Sequence, residues 1–372
     1  DNNYHYVVMF MRIVLMKSLH NVMNASSITP LPNLYLLDQS SETDNQRSMA
    51  VHQHRQDIQN ILSGRDSRML VIIGPCSIHD PEAAIDYAQR LAKAQKQFSS
   101  TLKLVMRTYF EKPRTRTGWK GYMVDPDLNG QFNLLKGLSS SRELLKSVLA
   151  LGVPTATEFL DTHIAPYIAD LICWGAVGAR TTESQPHRQL ASALHCPIGF
   201  KNGTDGNTTI AIDAIHAAND SHLLIMAGEN GQPVAVQTQG NPYCHIILRG
   251  GVTPNYASHS VKSAAYQLHH SQLSSRLVID CSHGNSGKIA KNQLDVINNI
   301  AQQLLSGERH IAGVMCESFL QGGSQALDKG PLCYGQSITD ECLSWEDTMC
   351  FLNTLDDAVT TLQQQQYCHA PV

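Results

Sequence analysis

The sequence has little charge, few aromatic side chains and no excess of either sign. Asp, Glu, Lys and Arg make up 16% of it and aromatics 6%, and 28 basic against 32 acidic residues leave a net charge of −4. Such a balance gives no electrostatic footprint for nucleic acid or an anionic membrane. Any anion site must be local, and neither nucleic acid nor membrane is an expected partner. No two of the ten cysteines form a C-x-x-C pair. In a chain of 372 residues they read as reduced cytosolic thiols rather than a disulfide framework, which points to the cytoplasm. Glycine (25) and proline (15) are too sparse for low complexity, and 42% hydrophobic residues suit a sizeable core. Long apolar runs are also lacking. The run from Tyr6 to Met16 is broken by Arg12 and falls short of the roughly 20 residues that span a bilayer. It has no basic stretch before it and no small-residue cleavage site, so no signal peptide is expected. Residues 1–22 read as sequence upstream of a start at Met23, followed by a polar arm over 24–48.

What is present is a repeating pattern. Short runs of strand length recur at Leu70–Ile73, Leu104–Arg107, Pro154–Thr157, Ala176–Ala179, Ile198–Lys201, His245–Leu248, Leu277–Ile279 and Ala312–Met315. Between them lie helix-like stretches at Pro81–Phe98, Ser141–Leu151, Asp161–Trp174, Asn207–Ala218, Val261–Gln272 and Lys288–Leu305. Eight βα units predict an α/β fold, a closed (β/α)8 TIM barrel over residues 47–362. An N-terminal extension over 1–46 precedes it. Two further runs, His222–Ala227 and Pro233–Thr238, flank Gly228-Glu229-Asn230-Gly231 and predict a β-hairpin inserted over 222–239, before the sixth barrel strand.

Charged groups at the C-terminal ends of barrel strands meet at one mouth, where barrel enzymes do their chemistry. Here the strand ends carry Cys76, Arg107 with Lys112, Glu158, Arg180, Lys201, Arg249, Asp280 with His283, and Glu317. Taken singly, Cys76 reads as a core thiol and His283 as a satisfied core histidine. Convergence favours ligation: Cys76, His283, Glu317 and Asp340 offer S, N and O donors, a mixture suited to a divalent Mn, Fe, Co or Zn ion. The second set, Arg107, Lys112, Arg180, Lys201 and Arg249, crowds five cations that repel one another unless an anion neutralises them. Arginine matches carboxylate and phosphate bidentately, so a phosphorylated carboxylic acid fits. The segment Lys112-Pro113-Arg114-Thr115 adds a second phosphate-suited cluster, and with it a second phosphorylated substrate.

The segments GPCSIHD (74–80), MRTYFEKPRT (106–115), GWKG (118–121), GARTTESQ (178–185), GFKNGTDGN (199–207), ILRGG (247–251), DCSHGNS (280–286), ES (317–318) and YGQSITD (334–340) resemble 3-deoxy-D-arabino-heptulosonate 7-phosphate (DAHP) synthase, of the short bacterial and fungal type regulated by an aromatic amino acid. The likeness runs from about Arg47 to Asp357. It implies a transferase that condenses phosphoenolpyruvate with erythrose 4-phosphate as the first step of the shikimate pathway. It implies metal ligands at Cys76, His283, Glu317 and Asp340, and phosphoenolpyruvate held by Arg107, Lys112, Arg180, Lys201 and Arg249. Erythrose 4-phosphate falls to Lys112, Pro113, Arg114, Thr115 and Asp340.

In the chemistry expected from these sets, a bound metal acts as Lewis acid toward the aldehyde. Lys112, its amine perturbed by the other cations, delivers a proton, and Glu158 positions a water or orients a cation. The resemblance further implies a homodimer or homotetramer whose inhibitor site lies between N-terminal arm and hairpin. MRTYFEKPRT, DPDLNG, IADLICWGA and ESFLQGG look most like the tryptophan-sensitive branch, while DCSHGNS is also similar to the tyrosine-sensitive one. The chain departs from the family at Pro186, at Val252 and at His195, near the implied inhibitor pocket. Three rival readings fit the residues less well: a 3-deoxy-octulosonate 8-phosphate synthase, from which KPRT and GWKG differ; a non-catalytic barrel, which has no physical need for five clustered cations; and a Schiff-base aldolase using Lys201, which the arginines and metal set beside it disfavour.

Overall fold

The computed structural model describes residues 23, 24, 28, 29, 31, 42–114, 116, 118–228 and 232–368. The expected arm over 1–46 therefore lies mostly outside the described residues, as do Thr115 and the hairpin-turn residues 229–231. Eight parallel strands close into a barrel: β1 (Met69–Gly74), β2 (Leu102–Arg107), β3 (Thr155–Glu158), β4 (Trp174–Val177), β5 (Ile198–Lys201), β8 (His245–Leu248), β9 (Leu277–Asp280) and β10 (Ile311–Glu317). β1 pairs with both β2 and β10, which closes the ring. The strands read as near-continuous apolar runs because each is covered on both faces, by the barrel interior and by the outer helices. In β1, Leu70 to Ile73 are completely buried. The two strands outside the ring, β6 (Leu223–Ala227) and β7 (Pro233–Gln237), form the expected antiparallel hairpin. β5 hydrogen-bonds directly to β8, so the hairpin takes no part in closure.

The helices follow local signals. Helix α2 (Pro81–Gln97) begins where Asp80 accepts from the backbone N–H groups of Glu82 and Ala83, with Pro81 pre-set for the first turn. Helix α3 (Leu134–Ala150) begins where Asn133 accepts from Lys136 N. Helices α5 (Thr209–Asn219), α6 (Ser258–His270) and α8 (Asn292–Leu305) match expected stretches to within a few residues, the last preceded by the single turn α7 (His283–Ser286).

Two differences stand out. The stretch Asp161–Trp174 is no α-helix: it makes two short 3₁₀ turns, Ala165–Tyr167 and Ala169–Leu171, and Trp174 already opens β4. Pro166 cannot donate in a helical ladder, and the carbonyls of Ala169 and Ile172 are taken by Arg55 at 2.7–2.9 Å. Arg55 belongs to helix α1 (Glu42–Leu62), which runs through the expected 46/47 boundary and buries Val51, Ile58 and Ile61 against the barrel. Helices α4 (Gln185–Ala193) and α9 (Trp345–Cys368) complete the outer layer. No helix among the described residues is long and apolar enough to cross a membrane.

Candidate active site

The βα turns carry the candidate residues to one mouth, around a cavity of about 260 Å³. Every one of them except Thr115, which is outside the described residues, lines it: Cys76, Arg107, Lys112, Pro113, Arg114, Glu158, Arg180, Lys201, Arg249, His283, Glu317 and Asp340. Arg107, Glu158, Lys201 and Glu317 are the last residues of their strands, and Arg249 follows β8 directly. Small residues make the convergence possible. A Cβ at Gly178 would stand 2.3 Å from Glu158 Oε1, so glycine leaves that carboxylate the room it takes across the end of β4. The loop bearing Lys112 is held by the GWKG segment: Lys112 N donates to Lys120 O at 2.9 Å and Arg114 Nε to Trp119 O at 2.8 Å. Gly121 ends that segment at φ +111, where a Cβ would lie 2.1 Å from Phe110 O.

The sulfur of Cys76 and carboxylate oxygens of Glu317 and Asp340 lie within 4.8 Å of one another. His283 stands beside this triad, its Nε2 3.7 Å from Glu317 Oε1. One thiol, one imidazole and two carboxylates fit a borderline first-row ion and no hard one. Burial and the Glu317 carboxylate push the Cys76 thiol up to about 11. Burial acts to raise Asp340 as well, but the Lys112 ammonium outweighs it and holds that carboxyl at about 2.

The cations are better neutralised than sequence reading suggests. Arg107, 1% exposed, donates to Glu317 Oε1 at 3.1 Å and stacks 3.9 Å from the centre of the Tyr109 ring. Lys112 Nζ lies 2.8 Å from Cys76 Sγ and 3.1 Å from Asp340 Oδ2. Lys201 Nζ lies 3.1 Å from Asp280 Oδ2. This corrects the expectation that neighbouring cations perturb Lys112. Burial alone would lower its pKa, but Cys76, Glu317 and Asp340 raise it above the usual lysine range, so the amine is held protonated.

Two buried polar atoms on residues that line this cavity have no hydrogen-bond partner among the described residues, Arg107 Nη1 and Tyr109 Oη. Tyr109 escaped the sequence reading, as did Glu111 and Lys288, which also line the cavity. For Tyr109 the available signal was its place two residues after Arg107. Asp280 was legible only as a charged strand end, although its D-x-x-H spacing from His283 brings the two side chains to 2.9 Å.

The chain matches the model of the DAHP synthetase I family over residues 42–353. It is 57% identical over 308 residues to the Trp-sensitive phospho-2-dehydro-3-deoxyheptonate aldolase of Escherichia coli O157:H7, a match covering 82% of this chain and 88% of that one. The protein of the same name from Salmonella typhi is 55% identical over 306 residues, with the same coverage. The solved structure of phospho-2-dehydro-3-deoxyheptonate aldolase from Francisella tularensis SCHU S4 superposes with a TM-score of 0.88 at 42% identity, covering 91% of this chain and 99% of that one. With the barrel, the mouth and the sequence in agreement over most of its length, the chain belongs to the DAHP synthetase I family.

Proposed function

We propose that the protein is a DAHP synthase, condensing phosphoenolpyruvate with D-erythrose 4-phosphate and water to give DAHP and phosphate, at the entry to the shikimate pathway. The observation that carries this reading is the mouth itself: a thiol–carboxylate cluster with the His283 imidazole next to it, beside a cationic wall whose buried Arg107 Nη1 has no protein partner among the described residues. Buried donors without partners are costly, and a bound carboxylate or phosphate satisfies them.

In this reading Arg107, Arg180, Lys201 and Arg249 bind the carboxylate and phosphate of phosphoenolpyruvate and fix which face of its double bond meets the aldehyde. Arg114, Thr115 and the Lys112-Pro113 turn take erythrose 4-phosphate, with Asp340 at its aldehyde end. Cys76, His283, Glu317 and Asp340 would hold a divalent first-row ion, which when bound supplies Lewis acidity toward the aldehyde oxygen. C3 of phosphoenolpyruvate bonds to the aldehyde carbon, and Lys112, kept protonated by its anionic neighbours, gives a proton to the oxygen that gains charge. Glu158 positions the water that adds at C2, after which the C2–O bond to phosphate breaks and phosphate leaves.

The proposal extends to cytoplasmic location, feedback inhibition by tryptophan, and a homodimer or homotetramer in which the N-terminal arm and the β6–β7 hairpin form the inhibitor site. Names of the relatives and the motif wording support tryptophan. The test of the activity is loss of phosphoenolpyruvate on mixing with erythrose 4-phosphate. Consumption that needs the aldose, stops with chelator and returns with manganese is expected. Consumption without the aldose, or undiminished by complete metal removal, overturns it.

A further inference from the structure

Asp280 ends β9 with no solvent exposure and touches both halves of the mouth. Its Oδ2 lies 3.1 Å from Lys201 Nζ and 2.9 Å from His283 Nδ1. Its Oδ1 accepts from Ser282 N at 3.0 Å and Ser282 Oγ at 2.6 Å, which fixes the carboxylate plane. An ionised carboxylate only accepts hydrogen bonds. Ser282 Oγ, its own proton given to Asp280 Oδ1, accepts from His283 Nδ1 at 2.7 Å, so the imidazole donates from Nδ1 and keeps its lone pair at Nε2, the atom nearer Glu317.

We propose that Asp280 is a positioning residue that couples the metal-side histidine to the phosphoenolpyruvate-side lysine, so that each ligand raises the affinity for the other. The inference rests on the function proposed above. Asp280 Oδ2 makes no hydrogen bond of its own among the described residues and stands at ion-pair distance from both the ammonium and the imidazole, which share its charge. When an anion approaches Lys201 it draws on the ammonium's charge, and Asp280 is left more fully to His283. A more negative partner at Nδ1 makes Nε2 a stronger donor to a cation. Linkage makes the effect reciprocal: the metal must favour the anion by the same factor. A carboxylate with only a structural role would alter stability and leave the two affinities independent.

The experiment is calorimetric titration of the full chain with Mn²⁺, with and without saturating phosphoenolpyruvate. In the wild type, phosphoenolpyruvate is expected to tighten Mn²⁺ binding by about 5- to 150-fold. Asp280→Asn should weaken Mn²⁺ by about 10- to 100-fold and bring the ratio of the two affinities close to one. Lys201→Met, which leaves Asp280 and His283 in place, should also bring that ratio close to one once phosphoenolpyruvate saturates the remaining cations. It carries the test if the Asn variant does not fold by circular dichroism. A wild-type ratio of one, or either folded variant that keeps the wild-type ratio, overturns the coupling while the proposed activity stands. A wild type that binds neither Mn²⁺ nor phosphoenolpyruvate overturns both.

Discussion

The two ends of the barrel each bury a lysine against an aspartate, and they do so to different ends. At the N-terminal end, Lys103 Nζ lies 2.7 Å from Asp57 Oδ2 and 3.2 Å from His54 Nδ1, with Arg68 joining Asp57 and Asp66 at the rim. Burial, then the Lys103 charge, lowers His54 to about 4, so it stays neutral and completes a closed set of partners between α1 and the barrel. At the mouth, Lys201 and Asp280 are more deeply buried, yet Arg107 Nη1 and Tyr109 Oη nearby have no hydrogen-bond partners among the described residues. A charged cluster that satisfies itself holds a structure together; one that leaves buried donors over is built for something that arrives.

That contrast can be broken at four points. The largest effect is expected from Cys76→Ala at the mouth: loss of a ligand should cost metal and turnover by more than the roughly 100-fold typical of an outer-shell change. Metal analysis of the purified variant and its rate with added manganese check this, and full activity in a metal-stripped variant would refute the ligand role. Next, Lys103→Met at the opposite end should lower stability by about 1–3 kcal/mol, because Asp57 loses its nearest partner, and leave both KM values unchanged. Denaturant unfolding alongside steady-state kinetics decides; a changed KM would mean that the two ends are not separate.

Smaller again is Tyr109→Phe. Removing a hydroxyl that meets a ligand should raise a substrate KM by about 2- to 10-fold, the loss of one hydrogen bond. Stability should hold or rise, since the free protein loses an unsatisfied buried group. Equal kinetics with lower stability would make the hydroxyl structural.

The smallest concerns Glu111, on the wall between Lys112 and the β3 loop. Burial, which outweighs the N–H bond from Asp161, lifts its carboxyl to about 8. A carboxyl raised in the folded state contributes in full below its unfolded value of about 4.3 and loses that contribution as the pH rises through 8. Glu111→Gln should therefore unfold at a temperature that rises relative to wild type between pH 5 and pH 9, by about 2 °C. Parallel curves across that range would count against it.

Strands were legible because double-sided burial writes itself as unbroken apolar runs: β5 and β8 were read to the residue. The candidate ligands followed, since a strand end in a closed barrel has one place to point. The helices were harder. Asp161–Trp174 has helical spacing, but Pro166 and the claims of Arg55 on its carbonyls are tertiary facts. α4 is nine residues long and opens on Gln185-Pro186, with too little periodicity to read. Within the site, sequence supplied the charges and could not supply their pairing. Lys112 looked like a cation among cations until the fold set Cys76 and Asp340 against it. Asp280 looked like one more strand-end acid because its partners come from β5 and from the turn after its own strand.

The hairpin has a consequence for how such a chain changes over generations. Because β5 is laddered straight to β8, the hairpin from Leu223 to Gln237 is an excursion that the barrel's shear number does not register. Residues there can be exchanged, lengthened or lost while the geometry of the mouth is inherited intact. Catalysis and whatever the excursion contributes are thus separate heritable modules in one chain, free to drift at different rates.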